Sequence, residues 1–430
     1  MFVDHILYLD NYRGFSDSYI PIKDVNFLVG ENSTGKSSAL SLLKLLGDER
    51  LLLLNQFTTE DIDLGTFRDI VSAHAEDTTY FRIGMLRRMV RGKRQLPYGF
   101  LVTYQQHAGL PLDVSFTCNV DSKEIFVRRI EGKAHYRMRD FAFEESTDMR
   151  RVMDRWTEEH ARPTGEFKSL DRSLGTSQSL LFPISFLVRA PGEVLSNAWP
   201  RVEPSVFPPL TWIAPIRTKP QRTYDALRLS FSPEGAHMPY ALRRLLDNER
   251  QAEAVKRTMH RVGVESGLFD SVVIKKFGED IADPFAVQIV LHKKAFGFTN
   301  VGYGVSQALP VLTEMLWGPS RSWLAVQQPE VHLHPRAQAA FGDLIFASAK
   351  VQKKQCLIET HSDFLIDRFR SRVRKSKGRK PNSQILFFER KRGNNVVTPL
   401  LIDDRGELPN RQPRSYRAFF VKEAIDTLGI

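Results

Sequence analysis

The chain has 430 residues, of which 42% are hydrophobic and 26% charged, the make-up of an ordinary globular protein with material for a sizeable core. At roughly 150 residues per domain, two or three domains are expected, or one large domain carrying insertions. Two distant cysteines, Cys118 and Cys356, exclude a disulfide scaffold and a cysteine zinc site, and no segment reads as a signal peptide or membrane span, so a cytoplasmic location is expected.

His5–Leu9 reads as a short strand, and Val25–Val29 as a buried strand that enters the loop GENSTGKSS. Ser37 to about Leu54 reads as a helix, with leucines at helical spacing. Between Thr78 and Pro204, FRIGML, GFLVTY, LDVSFTCNV and EIFVRRI read as strands; Asp148–His160 and Ser179–Val188 read as helices. Leu210–Ala214 is a further predicted strand, and Pro239–Ser266 a predicted amphipathic helix. Strands then follow at Val272–Ile274, Val287–Leu291, Trp323–Val326 and Gln355–Glu359. Helices are expected at Gly302–Leu316, Arg336–Ser348 and Ser362–Arg370. Two strands, Gln384–Glu389 and Asn395–Leu401, and a short final helix close the chain.

Lysine and arginine total 61 against 50 acidic residues, a net charge of +11 that favours polyanionic partners. The surplus is uneven. Arg368–Lys380 holds eight basic residues in 13 and no acid, and Arg87–Arg94 and Val127–Arg139 are also basic. Each reads either as a solvated face or as a phosphate-contacting surface, so nucleic acid is a candidate partner.

The strongest chemical signal is Gly30-Glu31-Asn32-Ser33-Thr34-Gly35-Lys36-Ser37-Ser38, which fits GxxxxGK[ST] between a predicted strand and helix. Such a loop turns backbone N–H groups inward around phosphates. Lys36 can reach the β- and γ-phosphates, and Ser37 can offer its hydroxyl to Mg²⁺. ATP and Mg²⁺ are the expected cofactors. Gly302, Gly304 and Ser306 open a predicted helix in VGYGVSQ, a weak anion-binding pattern by itself. The strand Trp323–Val326 ends in Gln327-Gln328-Pro329-Glu330, where phosphate-loop enzymes keep a metal-organising and a water-activating acid; the next strand ends close to His361.

In order and spacing, GENSTGKSS, VGYGVSQ, QQPEVHLHP and ETHSDFLI resemble the Walker A, signature, Walker B and switch-histidine motifs of ABC-type ATPases of the SMC branch. More narrowly they resemble the compact ATPase subunits of bacterial anti-phage systems such as Septu and PARIS. IAPIRTKPQRTY and the tail strand pair resemble segments of the same group. The resemblance covers about residues 1–72 and 210–430. It implies an α/β fold, an ABC-type ATPase head with a mostly parallel sheet, split by an α+β insertion. The expected division is 1–77 and 276–375 for the two halves of the head, 78–204 for the insertion, 205–275 for a return segment and helical subdomain, and 376–430 for the terminal strand pair and helix.

By the same resemblance, Gly302, Gly304 and Ser306 would meet the γ-phosphate bound to an opposite subunit, and His361 would contact it too. A homodimer or larger homo-oligomer is therefore implied. Position 327 usually holds an acid in this group, whereas this chain has Gln327, placed with Ser37 at the metal. At about 4 Å from Mg²⁺ the lost charge corresponds to about 8 kcal/mol of gross attraction at an effective dielectric of 20. Slow hydrolysis is expected, either as a natural ATP clamp or through a substitution that traps the ATP-bound form. Gln327, Gln328, Glu330 and His361 are the candidate catalytic residues. The implied function is a regulatory ATPase that holds or gates a separate effector protein, expected to be a nuclease. The alternative is a DNA-binding repair or chromosome-associated ATPase.

Overall fold

A computed structural model describes residues 5–91, 94–120, 123–141, 148–173, 179–181, 183–184, 207–225, 230–280, 282–416 and 418–419. Most of the predicted helix Ser179–Val188, Pro204 and the final helix lie outside the described residues, as do the side chains of most of the basic stretch Arg87–Arg94.

In chain order the strands are β1 His5–Asp10, β2 Ser18–Ile22, β3 Val25–Gly30, β4 Tyr80–Arg91, β5 Arg94–His107, β6 Leu110–Val120, β7 Lys123–Ile130, β8 Lys133–Asp140 and β9 Lys168–Ser173. They continue with β10 Leu210–Ile213, β11 Ser271–Lys276, β12 Phe285–Leu291, β13 Lys294–Gly297, β14 Trp323–Gln327, β15 Gln355–Glu359, β16 Ser383–Lys391 and β17 Asn394–Ile402. The helices are α1 Lys36–Leu46, α2 Glu49–Leu54, α3 Phe67–Ile70, α4 Met149–Ala161, α5 Met238–Asp247, α6 Glu249–Ser266, α7 Tyr303–Trp317, α8 Pro335–Val351 and α9 Asp363–Lys375.

The chain divides into two compact units. One comprises Met1–Lys23, Glu31–Pro209 and Phe387–Pro399, the other Asp24–Gly30, Leu210–Leu386 and Leu400–Ile430.

The first unit holds an eight-stranded sheet of order β2-β1-β4-β5-β6-β7-β8-β9, antiparallel at every pairing. Hairpin connections make such a sheet possible without crossover helices. The described part of 78–204 thus builds strands β4 to β9, which extend the sheet begun by β1 and β2. Helix α4 covers this sheet. Its buried residues Met149, Val152, Met153, Trp156 and His160 recur at helical spacing, and the first four pack with Tyr8, Leu86 and Leu101. Asp148 caps it by accepting from the Arg150 N–H at 2.9 Å.

The second unit is built on parallel strands. In it β10, β14, β15 and β3 stand in that order, and the pairs β10·β14, β14·β15 and β15·β3 are parallel. These strands read in the sequence as near-continuous apolar runs because the sheet is covered on its faces. Helices α8 and α9 supply cover: Phe369 of α9 meets Phe27 of β3 at 5.0 Å and Phe346 of α8 at 5.8 Å between ring centroids. A separate three-stranded sheet, β11-β12-β13, lies in the same unit. The fold is mixed α/β, as expected; the expected sheet was mostly parallel, and the first unit's sheet is antiparallel throughout because its strands follow one another through hairpins.

Two predicted helices are each two. The run from Ser37 to Leu54 breaks at Gly47 and Asp48, where the Asp48 side chain accepts from Arg50 N–H at 3.0 Å and starts α2. The run from Pro239 to Ser266 breaks at Asn248, whose side chain accepts from Arg250 N–H at 3.1 Å and starts α6. In both places a short polar side chain outcompetes helix continuation by capping the next helix.

Candidate functional site

The phosphate-loop motif folds as strand, loop and helix. β3 runs into the loop, and α1 begins at Lys36 with Gly35 as its N-cap residue. Gly35 has φ +95°, and a Cβ placed on it would stand 2.5 Å from Phe15 Cζ and 2.8 Å from Asn395 Nδ2. Only glycine meets both demands. Lys36 is 4% exposed, and its Nζ donates to the Glu31 carbonyl at 2.7 Å; Thr34 Oγ1 donates to the same oxygen at 2.8 Å. Ser37 is exposed at the N-terminus of α1, where unpaired N–H groups and the helix dipole favour an anion. Arg390 Nη2 donates to the Ser33 carbonyl at 2.7 Å, a loop contact that the sequence did not signal because it spans 357 positions. Asn32 and Ser33 complete the loop, and Ser38 lies in the first turn of α1; Ser33 takes a left-handed φ of +61°.

The second constellation lies at the C-terminal edge of the parallel strands in the other unit. The register pairs Ile213 with Val326 and Gln327 with Glu359, so β14 and β15 deliver their last side chains side by side. Gln327 is buried and bridges Trp212 and Glu359. Its Oε1 accepts from Trp212 Nε1 at 2.9 Å, and its Nε2 donates to Glu359 Oε2 at 2.6 Å. The indole N–H can only donate, which fixes the amide's orientation: the carbonyl end faces Trp212 and the amino end faces Glu359. Arg217, itself buried, donates from Nη2 to the Gln327 backbone carbonyl at 2.9 Å; burial lowers its pKa to about 10.

Gln328 sits at φ +46° and its N–H donates to the Glu359 carbonyl at 2.7 Å, tying the two strand ends together. Glu330 accepts from the His361 N–H through Oε1 at 2.7 Å, and its Oε2 is buried without a hydrogen-bond partner among the described residues. Burial raises the pKa of Glu330, while the His361 N–H and Arg217 act against that rise. The structure thus gathers Gln327, Gln328, Glu330 and His361 at one sheet edge. Trp212, Arg217 and Glu359 join them. The sequence carried a signal for Glu359, an acid ending the apolar strand beside His361, but none for the partnership with Gln327.

Gly302 precedes α7, and Gly304 lies in its first turn. A Cβ at Gly304 would come 2.6 Å from the His332 carbonyl, so the start of α7 packs directly on the loop that follows β14. Tyr303 stacks edge-on against His332 at 4.9 Å. Ser306 is buried and donates to the Tyr303 carbonyl at 2.7 Å, so its hydroxyl is engaged within the first turn.

One donor suits Mg²⁺ in kind. Ser37, at the start of α1, offers a hydroxyl oxygen, the hard kind of ligand that this ion takes. Among the described residues no group of three or more His, Cys, Asp or Glu side chains gathers to hold a metal.

The basic stretches are largely committed to internal partners. Arg368 and Arg372 both bind Asp343, Arg370 binds Asp367 and the Gly406 carbonyl, and Arg374 and Lys380 donate to the carbonyls of Arg405 and Asp404. In the first unit Arg129 pairs with Asp113, Arg137 with Glu159, and Arg139 with Glu124 and Glu159. Among the described residues no helix is long and apolar enough to cross a membrane.

Two family models match the chain. Residues 1–83 match one described as "AAA ATPase domain", and residues 268–367 match one described as "AAA domain, putative AbiEii toxin, Type IV TA system". Both matches fall on the motif-bearing segments. No curated protein matches. Among solved structures, the chain is similar to the Smc head domain of Pyrococcus furiosus with an extended coiled coil, bound to the C-terminal domain of ScpA. That likeness has 12% identity, 99% and 100% of the two chains covered, and a TM-score of 0.45. It is similar to the SMC head domain of Thermotoga maritima at 12% identity, 93% and 99% coverage and a TM-score of 0.38. It is also similar to the recombination mediator protein RecF of the RecFOR pathway at 11% identity, 92% and 97% coverage and a TM-score of 0.31.

Proposed function

We propose that this protein is an ATP-binding, slowly hydrolysing regulatory ATPase that dimerises on ATP and, in that form, holds or gates a separate effector, a nuclease in an anti-phage defence complex. The observation that carries the reading is the phosphate loop: a left-handed glycine, a buried lysine inside the loop and an exposed serine at the first turn of α1. Lys36 and the loop N–H groups hold the phosphates. Ser37 supplies a hydroxyl to Mg²⁺, which when bound neutralises charge on the phosphates and polarises them.

At the sheet edge, Glu330 is the one carboxylate in the loop after β14, and burial raises its proton affinity toward that of a base able to take a proton from water. Gln327 keeps the shape of an acid without its charge, and turnover is slow for that reason. The exposed start of α7, with Gly302 open to approach and Tyr303 projecting, serves the partner subunit's nucleotide. The internal commitment of the basic side chains favours this reading over direct DNA binding.

The test is nucleotide affinity and assembly state together. Wild type should bind ATP by calorimetry and move to a dimer on a sizing column when ATP is present. Lys36→Ala should lose affinity by at least about tenfold, or about 1.4 kcal/mol. Ser306→Arg should bind ATP but stay monomeric. Wild-type affinity in Lys36→Ala would sink the nucleotide assignment, and ATP-driven dimers of Ser306→Arg would sink the shared site.

A further inference from the structure

We propose that Arg390, near the end of β16, is a positioning residue for the nucleotide: by pinning the Ser33 carbonyl it holds the phosphate loop in its phosphate-binding shape before ATP arrives. The proposal rests on the ATP reading above and adds a residue to it. Arg390 and the loop residues it acts on all belong to the first unit.

Three observations lead there. First, Ser33 takes a φ of +61°. That conformation is unfavourable for a serine and persists only where its surroundings fix it. Ser33 is exposed, so packing does not supply the hold. A hydrogen bond does: Arg390 Nη2 donates to the Ser33 carbonyl at 2.7 Å. Second, the hold passes to a phosphate-facing kind of group. Across a planar trans peptide the carbonyl of one residue and the N–H of the next point in opposite directions. Fixing the Ser33 carbonyl therefore fixes the direction of the Thr34 N–H, one of the donors with which such a loop meets phosphate. Within the loop, Thr34 Oγ1 and Lys36 Nζ both donate to the Glu31 carbonyl, at 2.8 and 2.7 Å. Arg390 adds a hold on the same loop from the far end of the chain. Third, Arg390 is uncommitted elsewhere. Among the described residues it makes no ion pair, and its neighbour Glu389 pairs with Lys391 at 2.5 Å. No acid competes for the guanidinium, and a charged donor makes the stronger bond to a carbonyl. The strand that follows is fastened too: Asn395 of β17 donates from its N–H to the Gly14 carbonyl at 2.7 Å and from Nδ2 to the Arg13 carbonyl at 3.0 Å.

A purely structural account would have Arg390 brace an exposed loop without any consequence for phosphate. The two accounts differ at Ser33. Glycine takes a positive φ without strain, so a loop with glycine at 33 has less need of the hold. If Arg390 acts through the backbone of residue 33, its loss should matter less there.

ATP is titrated by calorimetry against wild type, Arg390→Met, Ser33→Gly, the double variant Ser33→Gly/Arg390→Met, Arg392→Met and Lys36→Ala. Thermal melting without nucleotide confirms that each protein is folded. Arg392 is the matched control, an exposed arginine two residues on that makes no hydrogen bond or ion pair among the described residues. Arg390→Met should lose at least about tenfold in ATP affinity, while Arg392→Met stays within about twofold of wild type. In the Ser33→Gly background the same Arg390→Met change should cost less than about threefold. Lys36→Ala should lose ATP whatever happens at 390, which reports on the nucleotide reading separately. Undiminished affinity in Arg390→Met would overturn the proposal, as would an equal loss in Arg392→Met or a tenfold loss that persists with glycine at 33. A wild type that binds no ATP would overturn the nucleotide reading and the proposal with it.

Discussion

Replacing Gly35 with alanine tests the phosphate loop at its tightest point. Two costs are separable. The first is conformational: φ is +95°, and an L residue held in left-handed territory costs about 1–2 kcal/mol. The second is steric. The new Cβ would lie 2.5 and 2.7 Å from Phe15 Cζ and Cε2 and 2.8 Å from Asn395 Nδ2, where ordinary contact begins at 3.4 Å. Neither neighbour can retreat easily. Phe15 is fully buried with its ring against Phe388 at 6.5 Å, and Asn395 is fastened by bonds from Nδ2 to the Arg13 carbonyl at 3.0 Å and from its N–H to the Gly14 carbonyl at 2.7 Å. Overpacking of this kind costs about 1–3 kcal/mol, so Gly35→Ala should destabilise by about 2–5 kcal/mol in total. Gly109→Ala is the matched control: φ is +85° and nothing lies within 4 Å of the added Cβ, so only the conformational cost of about 1–2 kcal/mol applies. Urea melts of both variants give the difference, and ATP affinity should fall at Gly35 alone. Equal destabilisation at the two positions would refute the claim that Phe15 and Asn395 form a rigid wall behind the loop.

Two buried titrating groups give pH signatures. His160 lies between Thr103 Oγ1 at 2.7 Å and Thr117 Oγ1 at 2.8 Å, stacked on Phe126, and burial holds its pKa well below the ordinary value, with Arg82 and Arg128 pushing the same way. The unfolded chain takes up that proton below about pH 6.5 and the folded one does not, so stability should fall by up to about 1.4 kcal/mol per pH unit below 6.5. His160→Gln should remove that share of the slope in urea melts taken from pH 7.5 to 5, and parallel slopes would count against a neutral buried imidazole. Lys354 donates to the carbonyls of Glu314 and Met315 in the last turn of α7, at 2.6 and 2.9 Å, and burial lowers its pKa to about 8. Between pH 8 and about 10.5 the unfolded chain binds more protons, so wild type should gain up to about 3 kcal/mol relative to Lys354→Met as pH rises through that window. A constant difference between the two proteins across the window would refute the shift.

The sequence alone determined the local machinery. Gly30 to Ser38 announced a strand, loop and helix because the spacing of glycines, lysine and serine is itself the geometry of the loop, and each requirement is met within nine consecutive residues. The apolar runs at Trp323–Val326 and Gln355–Glu359 announced buried strands, since a parallel sheet covered on its faces admits little else. Helix breaks at Asp48 and Asn248 were legible in principle as capping residues, but leucine and amphipathic periodicity ran across them and masked the stops. The basic stretches could not be judged from their own residues at all, because whether an arginine faces solvent or an acid such as Asp343 or Glu124 depends on chain segments packed against it. The same holds for the strand-end chain. Trp212 and Gln327 are 115 positions apart, and Gln327 and Glu359 are 32 apart. Only the parallel register, set by burial of three separate strands, brings a donor, an amide and a carboxylate into line, and a hydrogen bond has no counterpart in a sequence until that register exists.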